Sequence, residues 1–238
     1  MKPLSFITLF IALLSAQSIS AQALTHYEFK VGEFSELSVT DGVNVDYRCS
    51  ADSAGMIVFD CPSNLVTALI FNGGGEKGKN LKVQVASDAL ETVGLPTVRV
   101  YSKYLNKVTN TGDSTVRVLS LAPCPKFNAK LEGNGRLVVK GIECTELSAA
   151  AQMGNGTLIL KGKADKASIK SAGSCNIEAD ELEAREVSVR AWMKGTVGVW
   201  AVDKLSVSGT GTTKIYYKGS PKEISRHAPW VELIAIGK

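Results

Sequence analysis

The sequence predicts an all-β protein, built largely as a right-handed parallel β-helix of the single-stranded solenoid kind, with an N-terminal strand meander. Three observations predict it. Period-two alternation of apolar and polar residues runs through most of the chain, while helical periodicity is nearly absent. Glycine-centred turns recur at an almost constant spacing in the second half. Each repeat is also too short to bury its own apolar side.

The alternation comes first along the chain. Leu37-Ser-Val-Thr, Val43-Asn-Val-Asp-Tyr, Met56-Ile-Val-Phe and Leu81-Lys-Val-Gln-Val each place apolar residues at every second position. Asp41-Gly42 and Asn72-Gly73-Gly74-Gly75 supply turn chemistry between them. A strand-turn-strand meander is the expected result.

The repeat begins near residue 105. The first glycines of its turns are Gly112, Gly133, Gly154, Gly173 and Gly209, and a degenerate copy, Trp192-Met-Lys-Gly, fills the last gap. One strand-like run precedes each turn, as in Ala167-Ser-Ile-Lys-Ser, and another follows, as in Leu158-Ile-Leu. Stacking such units buries their apolar sides in parallel ladders, and the glycines allow the positive φ expected at corners. Parallel connections of this kind are right-handed. Propeller blades would need about 40 residues each. In the run Leu158-Ile-Leu, Leu158 and Leu160 should face inward and Ile159 outward.

The organisation expected is a signal peptide at 1–23, a β meander at 24–104 continuous with the solenoid, β-helix repeats at 105–225, and a C-terminal tail or cap at 226–238. The first segment carries Lys2, the apolar run Leu4 to Leu14, and the ending Ala21-Gln22-Ala23, which is the layout of a secretory leader. No later segment is long and apolar enough to span a membrane. The chain is therefore read as exported, to the periplasm or to the cell surface and exterior. The formal net charge of +4 is too mild and too scattered for a nucleic-acid partner.

An exported chain with five cysteines invites disulfides. Cys49 and Cys61 flank a turn-like stretch and are read as a hairpin staple. Cys124 and Cys144 lie 20 residues apart, one repeat, which puts them on neighbouring rungs within bonding reach. Cys175 is left as a free thiol. The only histidines are His26 and His227, and there is no C-x-x-C, so neither a metal site nor a cofactor is called for.

The opening Phe34-Ser-Glu-Leu-Ser-Val-Thr-Asp-Gly-Val-Asn-Val, the strand Leu81-Lys-Val-Gln-Val, the Gly-x-Gly corners and the ending Lys214-Ile-Tyr-Tyr-Lys-Gly-Ser-Pro together resemble the head GIN domain family. These are bacterial exported proteins described as putative auto-transporter adhesins. The resemblance covers about residues 27 to 220 and rests on order and spacing. It implies a β-helical fold and a cell-envelope or surface location, and it brings no catalytic residues.

Several residue groups can be weighed for chemistry. Gly73-Gly-Gly-Glu-Lys-Gly-Lys-Asn imitates a phosphate-binding P-loop, but Asn80 stands where Ser or Thr is needed, and a strand follows instead of a helix. Asp41, Asp46 and Asp52 lack calcium-loop spacing. Asp180, Glu181 and Glu183 offer carboxylates near one corner, with nothing to mark a glycosidase pair. There is no G-x-S-x-G elbow.

The binding candidates are aromatic. Alternation turns Val187, Val189, Ala191, Val197, Val199 and Ala201 inward, so Trp192 and Trp200 point out, and Tyr216 shares their phase one rung later. Such rings stack on sugars or bind a partner protein. The plainer alternative is that the tail Trp230-Val-Glu-Leu-Ile-Ala-Ile folds back and covers them. The function expected is a non-catalytic binding or adhesion module of the envelope, not an enzyme, with a surface glycan or protein as partner. The alternatives are a carbohydrate-active enzyme, a polysaccharide lyase or hydrolase on the same fold, and an envelope structural protein.

Overall fold

The computed structural model describes residues 23–237. The expected leader therefore lies outside the described residues, apart from Ala23. The strands are β1 (Thr25–Lys30), β2 (Glu36–Val39), β3 (Val45–Cys49), β4 (Met56–Cys61), β5 (Leu69–Gly73), β6 (Asn80–Val85), β7 (Val98–Ser102), β8 (Lys107–Asn110), β9 (Thr115–Val118), β10 (Cys124–Glu132), β11 (Arg136–Gln152), β12 (Thr157–Ala172), β13 (Asn176–Met193), β14 (Thr196–Gly211), β15 (Lys214–Lys218), β16 (Glu223–His227) and β17 (Glu232–Ala235). They wind into a β-solenoid of about 6 turns. No helix among the described residues is long and apolar enough to cross a membrane.

Each of β11 to β14 makes most of a turn by itself. Its first half stacks on one long side, the second side, with β3, β7, β9, β15 and β17. Its last half stacks on the other long side, the first side, with β2, β6, β8, β10 and β16. A short edge joins them, and the ladder register shifts there, as between Val139 and Ile142. Alternation delivers the core. Val116, Leu137, Leu158, Ile177, Val197 and Ile215 are ladder neighbours in one inward column, each 0% exposed. A stacked column of this kind buries aliphatic side chains without any one rung needing a core of its own.

Two expectations need correction here. Residues 24–104 do not form a simple meander. β2 and β3 are a parallel rung inserted between the rung of β6 and β7 and the rung of β8 and β9. The chain thus builds its second rung before its first, then passes back to lay down the third. Antiparallel pairing is confined to the end of the stack, where β5 lies on β6, β4 on β7 and β1 on β4. These strands cover what would otherwise be an open parallel edge. Nor does the tail fold back. β17 pairs in parallel with β15, with Tyr216 beside Ile234, so the tail extends the solenoid, and Trp230 is left 74% exposed.

Corner chemistry also differs in detail. At two corners the residue with positive φ is a methionine, Met153 at 60° and Met193 at 73°. The P-loop imitation is a short 3-10 turn that leads into β6, as a hairpin tip would.

The five cysteines are all free thiols. The expected Cys49–Cys61 staple is ruled out by topology. Cys49 lies beside Ser102 at one end of β7, while the antiparallel register of β4, Ile57 beside Val100, carries Cys61 past the other end. The two are roughly 20 Å apart along the strand direction, several times the reach of a disulfide. Cys124 and Cys144 are direct ladder partners.

The capping strand β1 is held partly by charge. The His26 ring shares hydrogen bonds with Asp60 at 2.6 Å and Glu28 at 3.2 Å, and Arg99 donates to Asp60 at 2.7 Å. The bond to Asp60 raises the His26 pKa above its usual 6.5, and the bond to His26 lowers that of Asp60 below 3.8. A raised histidine contributes below its unfolded value and is lost as pH rises through its folded one. A lowered carboxylate contributes above its unfolded value and is lost as pH falls. Both contributions are therefore present between 3.8 and 6.5. Amide exchange in β1, corrected for intrinsic rate, is expected to be slower at about pH 5 than at about pH 9. Asp60→Asn should flatten the difference; equal protection in the parent protein at both pH values would refute the coupling.

Candidate functional site

In a parallel in-register stack, outward residues at the same repeat position form columns with one residue every ~4.8 Å. The first side carries an unusual set of them. Its middle column runs Asn128, Ser148, Ser168, Ser188, Ser206, Ser225. Among the described residues, Ser148, Ser168, Ser188 and Ser206 make no side-chain hydrogen bond within the protein, so their hydroxyls face solvent with donor and acceptor capacity unused.

Longer side chains flank this low column. On one flank the signs alternate without a break through Lys126, Glu146, Lys166, Glu186, Lys204 and Glu223. They pair across rungs, Lys126 with Glu146 at 3.3 Å, Lys166 with Glu186 at 3.7 Å and Lys204 with Glu223 at 2.6 Å. Exposed pairs of this kind add little to stability, because water and salt screen them. Their alternation avoids stacking like charges on neighbouring strands. The other flank runs Lys130, Ala150, Lys170, Arg190, Ser208, His227. Lys130 is paired with Glu132 at 2.6 Å. Lys170 and Arg190, on adjacent rungs, have no ion-pair or hydrogen-bond partner among the described residues. Between the alternating Lys/Glu flank and the serine column lies a groove of ≈ 470 Å³ that spans the rungs from Asn128 to Ser206, with Leu147, Ala167 and Val187 in its lining; Lys170 and Arg190 stand on the far side of the serines, outside that lining.

The aromatic candidates divide between the two sides. Trp192 follows Arg190 by two residues on the same outward phase of the first side, between Ala172 and Thr210, and is 39% exposed. Trp200 lies beyond the corner, at the far end of the second side, between Glu183 and Lys218. The Lys218 Nζ sits 4.9 Å from the centroid of its ring. Tyr216 is also on the second side, beside Gly198 and Ile234. Trp192 and Trp200 both lie on outward phases but do not form one patch, because a corner and the width of one side separate them.

The carboxylates near the corner are committed elsewhere. Glu181 is held by Lys161 at 2.6 Å, which lowers its pKa, the opposite of what a general acid needs. Glu183 is 3.9 Å from Lys163. Among the described residues no group of three or more His, Cys, Asp or Glu is placed to hold a metal ion. The groove itself escaped the sequence reading. The signal that marks it was present in the 18- to 20-residue spacing of Lys126, Glu146, Lys166, Glu186, Lys204 and Glu223.

Comparison with known proteins places this architecture. The sequence matches the family described as putative auto-transporter adhesin, head GIN domain, over residues 33–221. The chain belongs to that family. Several solved structures share the fold. A putative adhesin from Bacteroides fragilis NCTC 9343 superimposes with a TM-score of 0.73 at 21% identity, covering 92% of this chain and 97% of that one. A putative lipid binding protein from Parabacteroides distasonis ATCC 8503 gives 0.70 at 18%, covering 91% and 98%. A putative adhesin from Parabacteroides merdae ATCC 43184 gives 0.65 at 17%, covering 91% and 97%. At such identities the likeness speaks for the fold alone. Among curated proteins none matches the chain.

Proposed function

We propose that this head GIN domain protein is an exported, non-catalytic binding module of the bacterial envelope, and that the serine-lined groove of the first side is where its partner lies. The observation that carries this reading is the column Ser148, Ser168, Ser188, Ser206, whose hydroxyls are unused inside the protein yet aligned rung by rung in one groove. Unpaired polar groups in regular array cost nothing while hydrated and are ready to bond a ligand. Screening the chain from residue 24 onward against a glycan array and in envelope pull-downs tests the reading. Ser188→Tyr fills the groove at an outward strand position, so stability should change by no more than about 0.5 kcal/mol. Any partner found should bind this variant at least about tenfold more weakly. A partner that binds it as well as the parent lies elsewhere on the protein.

Oxidation in the exported compartment is expected to join Cys124 to Cys144. They are ladder partners on the short edge, and burial together with the neighbouring Cys124 pushes the Cys144 thiol up to about 11. That raised value predicts slow bonding in the absence of a catalyst. Cys175, buried and donating to the Gly154 carbonyl at 3.3 Å, should react with alkylating agents only after unfolding. Peptide mapping after treatment with oxidised glutathione checks both statements, and a bridge that includes Cys175 would contradict them.

A further inference from the structure

We infer that the serine column takes a linear acidic polysaccharide, lying along the solenoid axis over the edge of the groove with its carboxylate or sulfate groups toward Lys170 and Arg190 on the column's other side; this rests on the groove being the binding site. Three features of this face of the solenoid lead there. The first is period. The same hydroxyl recurs on Ser148, Ser168, Ser188 and Ser206, one rung apart. A ligand that satisfies each in the same way must itself repeat and present a polar group at every step, which a polyhydroxylated chain does. An extended peptide repeats on one face every ~6.6 Å, out of step with rungs ~4.8 Å apart.

The second feature is charge. The flank of Lys126 through Glu223 cancels itself in pairs. The opposite flank does not, because Lys170 and Arg190 stand on adjacent rungs without an acidic partner. Their chains are exposed and their charges are free to meet an anion, to which an arginine adds a planar double donor. The third is shape. The serines wall one side of a groove, which a flat bilayer surface does not fill, and Trp192, two residues beyond Arg190 on the same outward phase, offers a partly exposed ring face against which a sugar can stack.

Calorimetric titration of the chain from residue 24 onward with oligogalacturonates, against cello-oligosaccharides of equal length, tests the inference. The acidic series should bind, weaken as salt is added, and lose at least about tenfold in affinity in the Lys170→Ala/Arg190→Ala double variant. Trp192→Ala should weaken it as well, while Lys214→Ala on the second side should not. Thermal unfolding of each variant guards against misfolding. Absence of binding to the acidic series, equal binding of the neutral series, full binding by the double variant, or displacement by phosphatidylglycerol vesicles overturns the inference. If the neutral series alone binds and Ser188→Tyr abolishes it, the groove remains the binding site and only the acidic ligand class is wrong.

Discussion

Replacing Leu160 with Ala is expected to lower the unfolding free energy by about 2–5 kcal/mol, the range for a large-to-small change in a core that cannot collapse. Leu160 is 0% exposed and pairs with Val139 inside the solenoid, where rungs above and below are fixed by their ladders. The neighbouring Ile159 makes the comparison informative. Alternation sends it outward, and the structure does place it apart from the core, between Val138 and Glu178 on the second side. Yet it is only 7% exposed, because Val138 and the surrounding chains cover it. Ile159→Ala should therefore cost about 1–2 kcal/mol, mostly lost transfer energy, since surface side chains relax into the gap. Urea unfolding of the two variants reads the difference directly. Equal costs would mean that the inward and outward phases are misassigned.

Gly209→Ala is expected to destabilise by about 3 kcal/mol or more, through backbone strain and overpacking together. Gly209 has φ 130°, and a Cβ there would stand 1.9 Å from the Ala191 carbonyl oxygen, its ladder partner on β13. The obstacle is main chain, so neither a rotamer nor a side chain can yield; one rung must move off the next. Gly42→Ala separates the two causes. Gly42 has φ 84° with nothing within 4 Å of the added carbon, so only the conformational cost of about 1–2 kcal/mol remains. Comparable unfolding midpoints for the two variants would remove close rung packing as the reason for glycine at 209.

Both predictions lean on features that were legible in the chain to different degrees. The inward phase of Leu158 and Leu160 follows from local pattern. Gly209 does not: the repeat puts it at a corner, whereas it lies within β14 opposite Ala191, and Gly211 is the glycine opposite Met193. The cover over Ile159 does not, because it depends on Val138 and Glu178 arriving from adjacent turns at that level of the stack. The candidate site shows the same division. That Trp192 and Trp200 point outward is a matter of alternation. That they face different directions depends on where the corner between β13 and β14 falls, and Met193 turns it with a positive φ that alternation cannot foresee.

The strands, the repeat and the inward columns were determined by the sequence alone, because a period of two along a strand and a period near 20 along the chain are properties of neighbouring residues. The pairing of Cys124 with Cys144 across one repeat belongs to the same class, since in-phase residues must stack. The order of the first rungs was decided only in three dimensions. Residues 50–79 interrupt the period, and nothing local says that β6 and β7 stack outside β2 and β3. That insertion also carries Cys61 away from Cys49, which adjacency in sequence had joined. The groove was decided the same way. A serine, and a lysine or a glutamate in turn, every 18 to 20 residues are unremarkable on a line. They become a hydroxyl-walled groove beside a charge-neutral flank only when parallel stacking brings each repeat within ~4.8 Å of the next.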